Sequence, residues 1–418
     1  MDWQRIGVTV NLNSPLHLGQ SPLGAGEYLF TQRYIPGAAL RGALAEVLVR
    51  DCAMGRDRCT LDDCPPDTRK ECLFYQLMGE PGRLRFEPAY PVVAEGYSFP
   101  FPLTARTCKL KEGFPTKASE AEKHHGVFDT LVFQAVFEEM LSTNTPLPFI
   151  YRPRCPRCGG AVKEATGCYG WLQDTPLPGK EVNIMRTTHT AINRTRGVAE
   201  DGLLYTIEAI QKETTFRSTL WASCEVKNGE LEAALLRIAH LGRGASRGRG
   251  RVKVTPYPTP ILPSLKNRIK ALTACIEKER LFYYTIADRS QNNEPGEAHY
   301  FTLDLLSPAI LGDGVTADLQ LPPERLGLTD GVKLVRRWVA PEHVGGWWTV
   351  AGLPHPTALA TAAGSVYLYR AEPKIKLNTL TERLVEIQAE GIGRERERGY
   401  GAVLPCAPFH TWTEEKAR

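Results

Sequence analysis

The sequence predicts an α+β fold made of two ferredoxin-like βαββαβ units, and three observations predict it. A strand exit is written twice: SPLHLG follows the alternating Ile6, Val8, Val10 and Leu12, and SPAILG follows Phe301, Leu303 and Leu305. A glycine-rich turn is also written twice, in the same order, as GRGASRGRGRV at 242–252 and GIGRERERGYGAV at 391–403. Each turn follows a helical pattern and leads into a short strand, as the closing half of a βαββαβ unit requires.

Taken in order, RIGVTVNLNSPLHLGQ is the opening strand and its turn. YIPGAALRGALAEVLVRD then reads as the first helix, with Pro36 suited to a first turn and Leu40, Leu44, Val47 and Leu48 as its apolar stripe. Gly37 and Gly42 weaken that helix by about 1 kcal/mol each, so close approach of another segment is a reason to keep them. The span from Ser14 to Gly242 far exceeds that from Ser307 to Gly391, so the first unit carries insertions, and the early cysteines fall inside them at about 52–170. LEAALLRIAH and VKVTPYPTP supply the closing helix and strand. A linker at 257–298 begins among Pro256, Pro258, Pro260 and Pro263 and contains one helix marked by Leu265, Ile269, Leu272 and Ile276. The expected domains are therefore 1–256 and 299–418, and Leu380, Leu384 and Ile387 mark the helix before the second glycine turn.

At 418 residues the chain can bury two cores, and 42% hydrophobic with 23% charged residues is a globular composition. No apolar run approaches the roughly 20 residues of a membrane span, and MDWQRIGVTV lacks a signal-peptide core. A soluble, cytoplasmic protein with no membrane partner is expected. The net charge is only +4, so its basic character is local.

The glycine turns hold that charge. Bare amides can converge on a phosphate where no Cβ blocks the approach, and Arg243, Arg247, Arg249 and Arg251 in the first turn, with Arg394, Arg396 and Arg398 in the second, would add charge-assisted hydrogen bonds. A solvated basic turn is the alternative for either alone; two at matching positions point to a phosphate backbone. This is no nucleotide fingerprint, because the Walker lysine is missing and the glycines follow a helix instead of opening one. Gly37 with Arg41 at a helix N-terminus could grip a phosphate or simply allow tight packing. Tyr400 could stack on a base or pack at a sheet edge, and Trp347-Trp348 reads as core or subunit interface.

Eleven cysteines in a cytoplasmic chain point to metal or burial before disulfides. Cys155-Pro-Arg-Cys158-Gly-Gly has the spacing of a zinc knuckle, half of a tetrahedral site. Cys108 and His125 could complete it, with His124 or Cys168 as alternatives, and four protein ligands would make the zinc structural. A second metal could bind at Cys52, Cys59, Cys64 and Cys72, whose spacing is irregular.

SPLHLG, IPGAALRGAL and the GRGASRGRGRV turn, with the second copy ending in GIGRERERGYGAV and with TALATAAGSVYLY, together resemble the RAMP superfamily of CRISPR effector subunits. NIMRTTHTAINRTRG followed by GLLYTIEAI is similar to the β-hairpin thumb (about 182–208) that such subunits lay across a guide RNA. The nearest resemblance is to the double RRM-like, group-five subunits of type III effectors, most of all type III-D. It implies a non-catalytic, prokaryotic subunit for antiviral defence that caps the 5′ repeat-derived tag of the crRNA. It would join the large subunit to the backbone subunits and meet target RNA indirectly. Carried over, Gly37 and Arg41 become RNA contacts, with Arg186, His189 and Arg194 of the hairpin. So do Gly242, Arg243, Gly244, Arg247, Gly248, Arg249 and Gly250 of the first turn, and Gly393, Arg394, Arg396, Arg398, Gly399, Tyr400 and Gly401 of the second. Target-slicing relatives place an aspartate before the IPG helix, where QSPLGAGEYLFTQRY has Glu27 and none. The alternative, a metal-independent endoribonuclease, would have to use His17 or His189.

Overall fold

The structure, a computed structural model, describes residues 3–19, 28–52, 54, 64–79, 83–92, 96–114, 122–142, 151–172, 174–193, 195–226, 228–286, 298–316, 318–328, 330–348 and 353–416. Helices and mostly antiparallel sheets are mixed along the chain. Two four-strand ladders organise it. In the first, β1 (Trp3–Leu12), β2 (Leu84–Phe86), β3 (Thr215–Ser223) and β4 (Val252–Tyr257) lie in the order β4-β1-β3-β2, with Tyr90–Pro91 adding a short pairing to β3. In the second, β5 (His299–Leu305), β6 (Val332–Trp338), β7 (Val366–Ala371) and β8 (Val403–Pro405) repeat it as β8-β5-β7-β6. Each opening strand is thus central, antiparallel to both neighbours: Val8 faces Ser218 and Pro256, and Leu303 faces Tyr367 and Pro405.

Helix α1 (Gly37–Arg50) begins directly after Pro36 and buries Leu40, Leu44, Val47 and Leu48 in the first core, to which α3 (Asn228–Leu236) adds Leu231, Ala234 and Leu235. The second unit departs from that symmetry. Among the described residues a short 3₁₀ turn (Pro323–Leu326), not an α-helix, lies between β5 and β6. Its core is filled instead by α2 (Leu131–Ser142), which belongs to the insertion, and by α4 (Leu265–Ile286), the linker helix. The Leu265, Ile269, Leu272 and Ile276 stripe is buried there, so this helix is a core element and more than a connector.

The insertion also covers the faces that strand alternation would leave wet. Gly7 of β1 lies beneath the Tyr97 hydroxyl, which donates to the Pro258 carbonyl at 3.0 Å. On β5 the off-core residues Thr302 and Asp304 are buried as well. Burying a carboxylate demands partners. Asp304 accepts from Thr302 Oγ1 at 2.7 Å and from the Ala407 amide at 3.2 Å, and lies 2.5 Å from His410 Nε2. The other ring nitrogen of His410 meets Asp129 of the insertion. This fully buried Asp–His–Asp array joins the insertion, β5 and the C-terminal turn.

Burial alone would lower the pKa of His410, but Asp304 and Asp129 outweigh it and raise it from 6.5 to about 10. Folding therefore favours the protonated ring. The stabilisation is complete below about pH 6.5, declines above it and is gone once the pH passes about 10. Urea midpoints measured at pH 7 and pH 10.5 should fall for the native chain and change less for His410→Gln. At neutral pH, His410→Ala should cost about 3–5 kcal/mol, because it strands two buried carboxylates.

The two units meet at small residues. A methyl group at Gly37 would collide with the Phe86 carbonyl and lie 3.0 Å from the Cα of Gly399. Alongside, buried Arg85 of β2 donates Nε to the Ala389 carbonyl at 2.9 Å and a terminal nitrogen to the Gln388 carbonyl, at the C-terminus of α5 (Leu377–Glu390). A cation suits that end of a helix, although burial lowers its pKa to about 10. Gly37→Ala is expected to destabilise by about 2 kcal/mol or more in thermal melts. Gly42 on the same helix has open space around it, so Gly42→Ala should instead stabilise by up to about 1 kcal/mol.

Candidate nucleic-acid interface

The repeated strand exits and glycine turns are bonded to each other, which explains why both motifs recur together. In the first unit the Gly250 amide donates to the Pro15 carbonyl at 2.8 Å, Arg243 to His17 at 3.1 Å, and Arg251 to Ser14 Oγ at 2.8 Å. In the second, Gly401 donates to Pro308 at 2.8 Å, Arg394 to Ile310 at 2.9 Å, and Ala402 to Ser307 Oγ at 2.9 Å. Side chains are excluded at the anchoring positions: a methyl at Gly250 or Gly401 would strike the Leu241 or Ile392 carbonyl, and both glycines have positive φ. Between the anchors, each loop makes a 3₁₀ turn, Ala245–Arg247 or Arg396–Arg398.

The first turn abuts the long hairpin of Ile184–Asn193 and Val198–Ile210. Arg249 donates to Thr187 Oγ1 at 3.2 Å and reaches His189 Nε2 at 3.0 Å. Arg247 donates to the Tyr205 hydroxyl at 3.3 Å, and the Tyr205 ring stacks on His189 with centroids 5.4 Å apart. Arg186 pairs with buried Glu208 at 3.2 Å yet keeps 64% of its side chain exposed. Arg243, Arg247 and Arg251 are exposed, Arg249 is half-buried, and none of the four has an ion pair among the described residues. Arg194 lies outside the described residues, as do Glu27 and Cys59. Sequence reasoning missed Thr187, on the outgoing strand of the hairpin, and Tyr205, which lies on the same strand face as buried Ile207 and Ala209; no local pattern marked either.

The second turn is arranged differently. Arg398 pairs with Glu395, Arg396 lies 4.0 Å from Glu390, and Arg394 donates to the Asp313 carbonyl at 3.0 Å. Gly399 is buried against Gly37, so these two face each other instead of solvent. Arg41 is half-buried beside this contact and donates to the Met78 carbonyl at 3.2 Å. Burial pulls its pKa down, with Glu397 opposing and Arg398 reinforcing the shift. Arg394 and Arg396 remain exposed. Tyr400 is half-buried and donates to the Gly345 carbonyl at 3.1 Å. His17 is 4% exposed, with Nδ1 2.7 Å from the Glu208 carbonyl, and burial lowers its pKa.

A separate centre lies in the insertion. Cys108, His125, Cys155 and Cys158 bring their ligand atoms within 4.8 Å of one another, so the knuckle is completed by the expected pair and could hold a metal. The Cys108 and Cys158 sulfurs are 3.8 Å apart, the edge of a tetrahedron with metal–sulfur bonds of about 2.3 Å. Cys155 Sγ lies 3.3 Å from His125 Nδ1. A short sheet presents them: Ala105–Cys108 pairs with Val127–Asp129 and with Val162–Glu164. Burial opposes the Cys108 thiolate, but the amides of Lys111 and Leu110 outweigh it and lower the pKa. Burial lowers that of His125 as well, favouring the neutral imidazole a metal needs. The alternatives fall elsewhere. His124 Nδ1 lies 2.5 Å from the Glu112 carbonyl, and Cys168 faces the Pro91 carbonyl at 4.0 Å, its pKa raised by burial to about 12. Of the early group, Cys52 and Cys64 are buried, and the thiols of Cys52 and Cys72 meet.

Comparison with known proteins places these features in a family context. The family model described as RAMP superfamily matches residues 9–253, more than half of the chain, and the model described as CRISPR-associated protein (Cas_Cmr3) matches residues 274–406. No curated protein matches the chain. Among solved structures, a type III-B Cmr-beta complex bound to cognate target RNA and AMPPnP contains a chain with 12% identity and a TM-score of 0.41, covering 95% of this chain and 98% of that one. A type IV-B CRISPR complex contains one with 14% identity and a TM-score of 0.31, covering 62% and 93%. No helix among the described residues is long and apolar enough to cross a membrane.

Proposed function

The chain belongs to the RAMP superfamily, and on that premise we propose that it is a non-catalytic, RNA-binding subunit of a type III CRISPR effector complex. Each half is an RRM-like βαββαβ unit, the second with its first helix replaced by α2 and α4. The protein grips the 5′ repeat-derived tag of a crRNA and joins the large subunit to the backbone subunits in the prokaryotic cytoplasm. The Cas_Cmr3 match over the second half favours a Cmr3-type subunit over the type III-D one. Zinc at Cys108, His125, Cys155 and Cys158 is structural, since four protein ligands leave no open position for a reacting water.

The observation that carries this reading is the union of the first glycine turn with the hairpin. Arg247 and Arg249 hold the Tyr205–His189 stack, so cations for phosphates and π-faces for bases share one surface. RNA co-purifying with the full chain tests it. The reading expects fragments with a common 5′ end and no cleavage of added repeat RNA. Random fragments would remove the tag role, and metal-independent cleavage abolished by His189→Ala would assign a RAMP endoribonuclease instead.

A further inference from the structure

The second unit carries a hairpin of its own. Pro341–Val344 pairs with Ala358–Thr361, and Trp347–Trp348 with Leu353–Pro354, in one antiparallel run between β6 and β7. The long hairpin of the first unit also precedes the third strand of its sheet. The two hang from the same hinge: Leu16 and Ile210 exchange backbone hydrogen bonds of 2.9 and 2.8 Å, and Ala309 and Thr361 exchange two of 2.8 Å. Leu16 and Ala309 hold the same place in SPLHLG and SPAILG. The loop contact is repeated as well. Arg249 reaches the first hairpin, and Tyr400, at the same position of the second turn, donates to Gly345 of the second.

We propose that the hairpin formed by residues 341–348 and 353–361 is a second RNA-gripping element, in which Trp347 stacks on a base and Arg398 attends the adjoining phosphate. This rests on the reading of the first turn and hairpin as an RNA surface. Trp347 is 62% exposed and Leu353, on the opposite strand, 59%. Behind them, Arg398 pairs through one terminal nitrogen with Glu395 and turns the other, Nη2, toward Gly346, with His355 nearby. An open aromatic face with a cation one residue away matches single-stranded nucleic acid, in which π-faces and phosphates alternate. A protein interface needs a wider apolar core, and Trp347 and Leu353 are the large exposed apolar side chains among the described residues of this hairpin.

The test measures binding of a fluorescein-labelled, heteropolymeric single-stranded RNA to the full chain, with melting temperature as the folding control. Trp347→Ala should weaken binding on the order of 10- to 100-fold, the range for one lost base stack, without changing the salt slope. Trp347→Phe should restore most of it. Native affinity in Trp347→Ala, while Arg247→Glu/Arg249→Glu binds weakly, overturns the second element and leaves the first intact. Native RNA affinity coupled with loss of a co-purifying protein would assign the tip to a protein contact and also overturns it. If the native chain binds no RNA, both readings fall.

Discussion

Reversing charge at Arg247 and Arg249 together should lower affinity for single-stranded RNA by about 100-fold at low salt. It should also make log K fall less steeply with log salt, by between one and two units, because each phosphate contact on a single strand contributes a slope of about 0.7. Two causes act at once. Both cations are free of acidic partners among the described residues, so their charge is available to phosphates, and both also hold hairpin side chains in place. The double reversal at Arg394 and Arg396 should cost much less. Arg396 already lies near Glu390 and Arg394 is tied to the Asp313 carbonyl, so less of their charge is uncommitted. Filter binding across a salt series separates the two turns. Equal losses at both would mean that the ion pairs of the second turn open on binding.

Loss of the proposed zinc is the other large effect expected. Cys155→Ser or Cys108→Ser should abolish stoichiometric zinc, measured as one metal per chain by elemental analysis, and lower the melting temperature of the whole chain. Structural zinc in small sites is worth about 10–16 kcal/mol of apparent binding energy, far above the contribution of most single side chains. The damage should spread, because the insertion is not an appendage. Its α2 fills the core of the second unit and its Asp129 holds His410. Cys168→Ser, outside the quartet, should keep the metal. A native chain free of zinc after purification without chelators, with a melting temperature indifferent to added zinc, would contradict the assignment.

The features legible in the sequence are those in which chemistry forces a spacing. Positive-φ glycines at 242, 244, 248 and 250 have few substitutes, so the turn announced itself, and its copy kept glycine at 393, 399 and 401 while Glu395 took the fourth left-handed position. Thiolate ligands are equally constrained, and the Cys108, His125, Cys155 and Cys158 set was readable from the knuckle and its neighbours. What escaped depends on contacts between distant segments. Nothing local in LVFQAVFEEMLS says that its apolar face completes a core begun at residue 265, or that the first-unit insertion covers both sheets. Asp129, Asp304 and His410 are ordinary residues until the fold buries them together. The hairpin formed by residues 341–348 and 353–361 was hidden because Gly345-Gly346 interrupts its alternation, and TALATAAGSVYLY runs its returning strand into β7.

The most direct measurement is photo-crosslinking of the full chain to single-stranded RNA carrying 4-thiouridine, with the crosslinked peptides identified by mass spectrometry. Crosslinks concentrated in residues 184–210 and 241–251 are the predicted result, Tyr205 and His189 among them. Crosslinks confined to the insertion at about 52–170, with none in those two segments, would contradict the account.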